Sequence, residues 1–239
     1  MLKGLDIEKV LFLDIETVAQ KPDFAQLEET DQLLWAEKSR FTCEREGITP
    51  AKAYEKAGIL AEFGRIICIS VGFISQSKGE RVYRTTSFFG HDEAQLLREF
   101  ANLIHNKFSF PGALLCGHNA KEFDFPYIAR RMLINRIAIP DMLNMAGKKP
   151  WEVAHLDTLE LWKFGDFKHF TSLKLLARVF GIPTPKDDID GSQVGHTYWV
   201  EDDLDKIERY CQKDTLTVAR LMLAYLGQPT IEDYQVLVV

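Results

Sequence analysis

Four apolar residues, Val10-Leu11-Phe12-Leu13, run straight into Asp14-Ile15-Glu16-Thr17. A short run rich in branched and aromatic side chains predicts a buried strand. Side chains alternate faces along a strand, so Asp14 and Glu16 point the same way. The stretch 19–62 is mostly polar, with helical character over 25–41 and a capped helix start at Thr49-Pro50, where Pro takes the first helical position. It reads as a helical insertion between strands. The apolar run 66–73 predicts a second strand. A third, over 81–88, lies antiparallel to it through the turn Ser75-Gln76-Ser77-Lys78-Gly79.

Helical spacing returns at 91–106, where Leu96, Leu97, Phe100, Leu103 and Ile104 share one side. Residues 113–117 predict a buried strand leading to His118-Asn119, and a helix follows to Leu133. A fifth strand is expected over 153–162. Thr171-Ser172 caps a helix to Phe180, stopped by Gly181-Ile182-Pro183. Residues 184–197 read as a loop. A last helix runs from Glu201-Asp202-Asp203 to Tyr225, and the apolar tail 236–239 is expected to pair with a sheet edge or to pack on another chain. The order β-insertion-β-β-α-β-α-β-α-α suits a mixed sheet with helices on its faces, an α/β fold.

Composition narrows the reading. The chain has 239 residues, 46% of them hydrophobic, enough to build a core for one large domain. It holds no apolar stretch near the roughly 20 residues needed to span a bilayer and no signal-peptide pattern at its start, so the expected location is cytoplasmic, with no membrane partner. Cys43, Cys68, Cys116 and Cys211 form no C-x-x-C pair, which leaves no zinc or disulfide framework. The net charge of −6 speaks against a general nucleic-acid binder. The charge is uneven, however: residues 118–178 carry ten Lys or Arg against seven Asp or Glu, and residues 179–239 five against eleven.

The acids supply the candidate chemistry. Two carboxylates side by side repel unless a cation lies between them, and hard divalent ions take oxygen ligands. A strand end that turns polar toward solvent would show the same Asp-x-Glu. Asp124 lies in Asn119-Ala120-Lys121-Glu122-Phe123-Asp124-Phe125-Pro126, where an acid at a helix start also suits the macrodipole. Tyr210 and Asp214, four residues apart, share a face of the last helix. Asp157, in His155-Leu156-Asp157-Thr158, could support the site from behind or cap the next turn. The isolated His118 and His155 read as structural histidines.

Taken together, Asp-x-Glu on a strand, Asn-x-x-x-Phe-Asp entering a helix and Tyr-x-x-x-Asp on a late helix resemble the three exonuclease motifs of the DEDD superfamily of 3′–5′ exonucleases. Tyr210 stands four residues before Asp214, and Arg209 occupies the position where the other branch carries His, so the tyrosine (DEDDy) branch is the match. The nearest resemblance is to the stand-alone predicted exonucleases related to the proofreading domain of family-B DNA polymerases. It extends to Glu62-Phe63-Gly64-Arg65-Ile66-Ile67, Ser172-Leu173-Lys174-Leu175-Leu176-Ala177, Lys186-Asp187-Asp188-Ile189-Asp190-Gly191-Ser192 and Tyr210-Cys211, and runs from about Val10 to Leu226. The insertion is less typical of polymerase proofreading domains.

The resemblance implies a ribonuclease-H-like mixed β-sheet flanked by α-helices, a single exonuclease domain over 1–239 with its insertion at about 19–62. It implies Asp14, Glu16, Asp124 and Asp214 as ligands of two divalent cations, Mg²⁺ or Mn²⁺, with Asp14 bridging both ions and Glu16 holding one. Tyr210 would orient the attacking water. With an ordinary pKa near 10 it makes a poor base at neutral pH. Thr17 would meet the terminal nucleotide, Asn119 and Phe123 the strand behind it, and Lys174 a backbone phosphate. Base–aromatic stacking tolerates any sequence, although Phe123 fits a helix core equally well. The implied reaction is release of nucleoside monophosphates from the 3′ end of single-stranded or frayed DNA. RNA 3′-end trimming and a catalytically silent nucleic-acid-binding module are the alternatives, and the retention of all four carboxylates disfavours the second.

Overall fold

A computed structural model describes residues 2–166, 170–183 and 189–239. Residues 184–188, part of the expected loop and of the run from Lys186 to Ser192, lie outside them.

The first apolar run is strand β1 (Val10–Ala19). The polar stretch after it holds α1 (Glu29–Glu46) and α2 (Pro50–Ala53). β2 (Gly64–Ser77) and β3 (Glu80–Phe89) follow, then α3 (Glu93–Lys107), β4 (Leu114–Gly117) and α4 (Asp124–Ile134). The chain continues with β5 (Leu156–Asp157), α5 (Thr158–Lys163), α6 (Leu173–Val179), α7 (Val194–His196), α8 (Leu204–Tyr225) and β6 (Val236–Val238). The six strands form one sheet in the order β5-β4-β1-β2-β3-β6. β4 runs parallel to β1 and to β5, β2 antiparallel to both β1 and β3, and β6 parallel to β3. This is the mixed α/β sheet of a ribonuclease-H-like fold.

β1 is central, and its alternation sorts the two layers. Leu11, Leu13 and Ile15 face a core shared with α3 and α4, through Leu97, Phe100, Phe125 and Ile128. Val10 and Phe12 face the other side, against Val218, Ala219 and Met222 of α8. Val18 stays on that second face, with Ile207 and Cys211. Asp14 and Glu16 fall between Phe12 and Val18 in the alternation, so they point toward α8.

Four boundaries differ from the sequence reading: the expected loop 184–197 ends in α7 (Val194–His196), and three others move. The β2–β3 hairpin continues the ladder to Ser77↔Glu80, leaving a two-residue turn at Lys78 and Gly79, whose φ values are +53° and +84°. Two successive positive φ angles match the right-handed twist of the strands, and Ile74, fully buried, supports the longer ladder. The fifth strand is only Leu156–Asp157, because the Asp157 carboxylate accepts the N–H of Leu159 and Glu160 and starts a helix. The first long helix lies later than 25–41, at Glu29–Glu46, ending at left-handed Gly47. The apolar tail pairs with a sheet edge, through Tyr83↔Val236 to Thr85↔Val238.

The segment between β1 and β2 builds a small core of its own. Trp35 meets Tyr54 and Phe63 edge-on at 5.3 and 5.1 Å and donates its indole N–H to the carbonyl of Pro50 at 2.8 Å. It is tied to the main layers by Tyr127, which donates to the carbonyl of Gly58 at 2.7 Å, and by Arg131, which donates to the carbonyl of Ala61 at 2.8 Å. Arg131 also pairs with buried Glu93, Nε to Oε1 at 2.8 Å. No described helix is long and apolar enough to cross a membrane.

Candidate nuclease site

The site forms where β4 stops and β1 continues. The last parallel pair is Phe12↔Cys116. Beyond it, the β4 side of β1 is open, and the chain leaving β4 turns back over it. Gly117 permits that turn, since a side-chain carbon there would collide with the methyl of Ala120. Asn119 follows in the left-handed conformation, φ +62°, which Asn tolerates better than most residues. α4 then begins at Asp124, whose Oδ1 accepts the N–H of Ile15 at 3.2 Å. The residue between the two acids of β1 thereby holds the third acid.

α8 crosses the other face. Its buried stripe includes Ile207, Cys211, Thr215, Val218 and Met222, a spacing that lays one side of the helix on the sheet. The Cys211 thiol donates to the backbone carbonyl of Asp14 at 3.3 Å. Tyr210 and Asp214 flank this contact, and the Tyr210 hydroxyl is hydrogen-bonded to the Asp214 carboxylate. Ligand atoms of Asp14, Glu16 and Cys211 all lie within 4.8 Å of one another.

Electrostatics show that the four acids occupy one field. Burial holds the Asp14 carboxyl well above its ordinary range, and the charges of Asp124, Glu16 and Asp214 push it further. Glu16 is raised by burial first, then by Asp214, with Cys68 and Asp124 adding to it. Asp124 is pushed up to about 7, chiefly by burial, while the N–H groups of Ile15 and of its own backbone oppose the shift. The Tyr210 phenol is raised by burial, then by the charges of Asp214, Glu16 and Asp14. Carboxyl groups held this way are short of positive charge. Asp14 and Glu16, with the Cys211 thiol beside them, lie close enough to share a divalent cation, which takes hard oxygens; Asp124 and Asp214 join them through their charges.

The other expected residues take varied positions. Thr17 alternates to the opposite face of β1 from Asp14 and Glu16, with its hydroxyl against the Tyr127 phenol. A register shift between Glu16 and Thr17 marks a β-bulge at that point, a common device beside functional groups. Phe123 is half-buried, its ring 5.3 Å from that of Tyr127. Lys174 is exposed on α6. It adds slightly to the lowering of the Asp190 carboxyl, which Ser192 mainly causes. His118 spans the Thr158 hydroxyl and the Thr171 carbonyl at 2.9 and 3.0 Å. His155 bridges the N–H of Leu115 and the carbonyl of Met142 at 3.1 and 2.7 Å. Both rings are structural, and burial lowers the pKa of each.

Cys211 is a neighbour of the acids to which the sequence assigns no role; it enters there only within Tyr210-Cys211, as part of the family resemblance.

A family described as predicted 3′–5′ exonucleases related to the exonuclease domain of PolB matches residues 59–232. The chain belongs to this family. The matched span holds Asp124, Tyr210 and Asp214. Asp14 and Glu16 precede it, and the sheet brings them in. No curated protein matches the chain. Membership in the exonuclease family makes the protein a nuclease, a hydrolase acting on nucleic acid, and implies dependence on a divalent metal.

Proposed function

We propose that this exonuclease hydrolyses phosphodiester bonds at the 3′ end of single-stranded or frayed DNA, releasing nucleoside monophosphates, as one domain over 1–239 with the helical insertion at about 19–62. The observation that carries this is the convergence of Asp14, Glu16, Asp124 and Asp214: burial raises the first three above their ordinary range, and the charges of the other acids raise Asp14 and Glu16 further. The four acids are the proposed ligands of two divalent cations, Mg²⁺ or Mn²⁺. When bound, such cations neutralise the acids, clamp the scissile phosphate and favour ionisation of an attacking water.

The residues of the chain do the positioning. Asp14 and Glu16 are held on one face by the pleat of β1, and Asp124 is held by the Ile15 N–H. Tyr210, fixed by its bond to Asp214 and kept protonated at neutral pH by its surroundings, orients the water and does not take its proton. The bond that breaks joins phosphorus to the 3′ oxygen of the preceding nucleotide. Thr17, Asn119, Phe123 and Lys174 are the proposed contacts to the strand, with Phe123 offering its ring to a base. Four free cysteines support a reducing compartment and a cytoplasmic location.

The test is mononucleotide release from matched DNA and RNA strands, with Mg²⁺ and with EDTA. DNA degradation that EDTA stops and Asp14→Ala abolishes is expected. Activity undiminished in Asp14→Ala would sink the assignment, and a preference for RNA would transfer it to RNA 3′-end trimming.

A further inference from the structure

We infer that Asp157, outside the carboxylate set, is a positioning residue that fixes the turn carrying Asn119 and Asp124. The inference rests on the exonuclease reading above. Asp157 is 3% exposed, at the end of β5, beside Gly117 of β4. Its carboxylate accepts four backbone N–H groups. Oδ1 takes those of Asn119 and Leu159, both at 2.9 Å, and of Glu160 at 3.2 Å, and Oδ2 takes that of Lys121 at 3.0 Å.

The two oxygens share the work unequally. Oδ1 carries all of the capping of α5 and one bond to the turn, from Asn119. Oδ2 serves only the turn that leaves β4. Ahead of Asn119 the turn is also held by His118, on the Thr158 hydroxyl and the Thr171 carbonyl at 2.9 and 3.0 Å, and by the Thr158 hydroxyl on the Gly117 carbonyl at 3.2 Å. The ion pair from Lys121 to Glu160, 2.7 Å long, lies on a half-exposed carboxylate, where such pairs contribute little. The turn in turn builds the start of α4: the Asn119 carbonyl accepts the N–H of Phe123 at 3.0 Å, and the Ala120 carbonyl accepts that of Phe125 at 2.9 Å. Asp124 lies between these two residues. A buried acid that needed only to cap α5 would use one oxygen. The second reaches across to the loop whose conformation decides where Asp124 points.

Asp157→Asn keeps Oδ1 and sets an NH₂ against the Lys121 N–H. Asp157→Ser keeps a capping hydroxyl, which reaches the α5 amides but is too short for the loop. Mn²⁺ binding, followed by the electron paramagnetic resonance of the free ion, is expected to weaken about 10- to 100-fold in both variants, the range for groups that orient metal ligands. The turnover number in Mg²⁺ is expected to fall similarly, with the KM for an oligonucleotide nearly unchanged. Wild-type Mn²⁺ affinity and turnover in either folded variant would overturn the inference, as would loss of fold in both, which would make Asp157 a structural cap alone. Wild-type protein that neither binds Mn²⁺ nor releases nucleotides would instead overturn the exonuclease reading.

Discussion

The N–H of Ile15 donates to Oδ1 of Asp124 at 3.2 Å across 109 residues of sequence. Ile15 sits between Asp14 and Glu16, so a single bond keys the acid of α4 to the two acids of β1. The bond is available because β4 ends level with Phe12 and leaves this amide without a strand partner on that side.

Asp124→Asn separates charge from position. The amide oxygen can still accept from Ile15, so the fold is expected to persist. The charge is lost, and Mg²⁺-dependent nucleotide release should fall roughly a hundredfold or more. Circular dichroism and an end-labelled oligonucleotide assay check both halves.

The raised acids make metal-free stability fall as pH rises. The folded-state pKa of Asp124 lies near 7, against an ordinary 3.8. Between those values the folded chain keeps a proton that the unfolded chain has released, so folding is favoured at the acid end and loses stability through about pH 7. Asp124 alone accounts for at most about 4 kcal/mol, and Asp14 and Glu16 act in the same direction. Melting in EDTA should therefore occur at lower temperature at about pH 8 than at about pH 5. Mg²⁺ should restore much of the difference at the higher pH. A rising melting temperature in EDTA over that range would contradict the electrostatic account.

Tyr210→Phe removes the hydroxyl to which the proposed mechanism gives the orienting of water and no proton transfer. A fall of about tenfold to a hundredfold in turnover is expected, with Mn²⁺ affinity within about twofold and the shape of the pH–rate profile unchanged. Loss of a basic limb from the profile would instead make Tyr210 an acid–base group.

Cys211→Ser preserves a donor to the Asp14 carbonyl and should retain fold and activity. Cys211→Ala removes the donor and leaves a small void in a fully buried position, and should cost about 1–2 kcal/mol in urea unfolding. Equal stability of the two variants would deny the contact any role.

Local periodicity made several parts of the site legible in the sequence. Strand alternation put Asp14 and Glu16 on one face, and helical spacing put Tyr210 and Asp214 on another, because both patterns depend on backbone geometry within a few residues. The capping side chains of Ser172 and Thr49 were readable for the same reason. The hairpin turn is shorter than the five residues polarity suggests, because Ser75, Gln76 and Ser77, polar as a loop, pair with Val82, Arg81 and Glu80. The fifth strand is shorter than its apolar stretch suggests, because Asp157 interrupts it through hydrogen bonds that hydropathy does not register.

What the sequence determined by itself was the pairing of acids within each element, and with it the resemblance to an exonuclease. Only the tertiary structure decided that β4 ends level with Phe12, that Asp124 takes the freed Ile15 amide, that Cys211 lies beneath Asp14, and that Asp157 grips the turn at Asn119 and Lys121. The physical reason is range. Side-chain direction follows from neighbouring dihedral angles, whereas these contacts join segments 36 to 197 residues apart, and they exist only once sheet order and register have been set by packing both faces of β1.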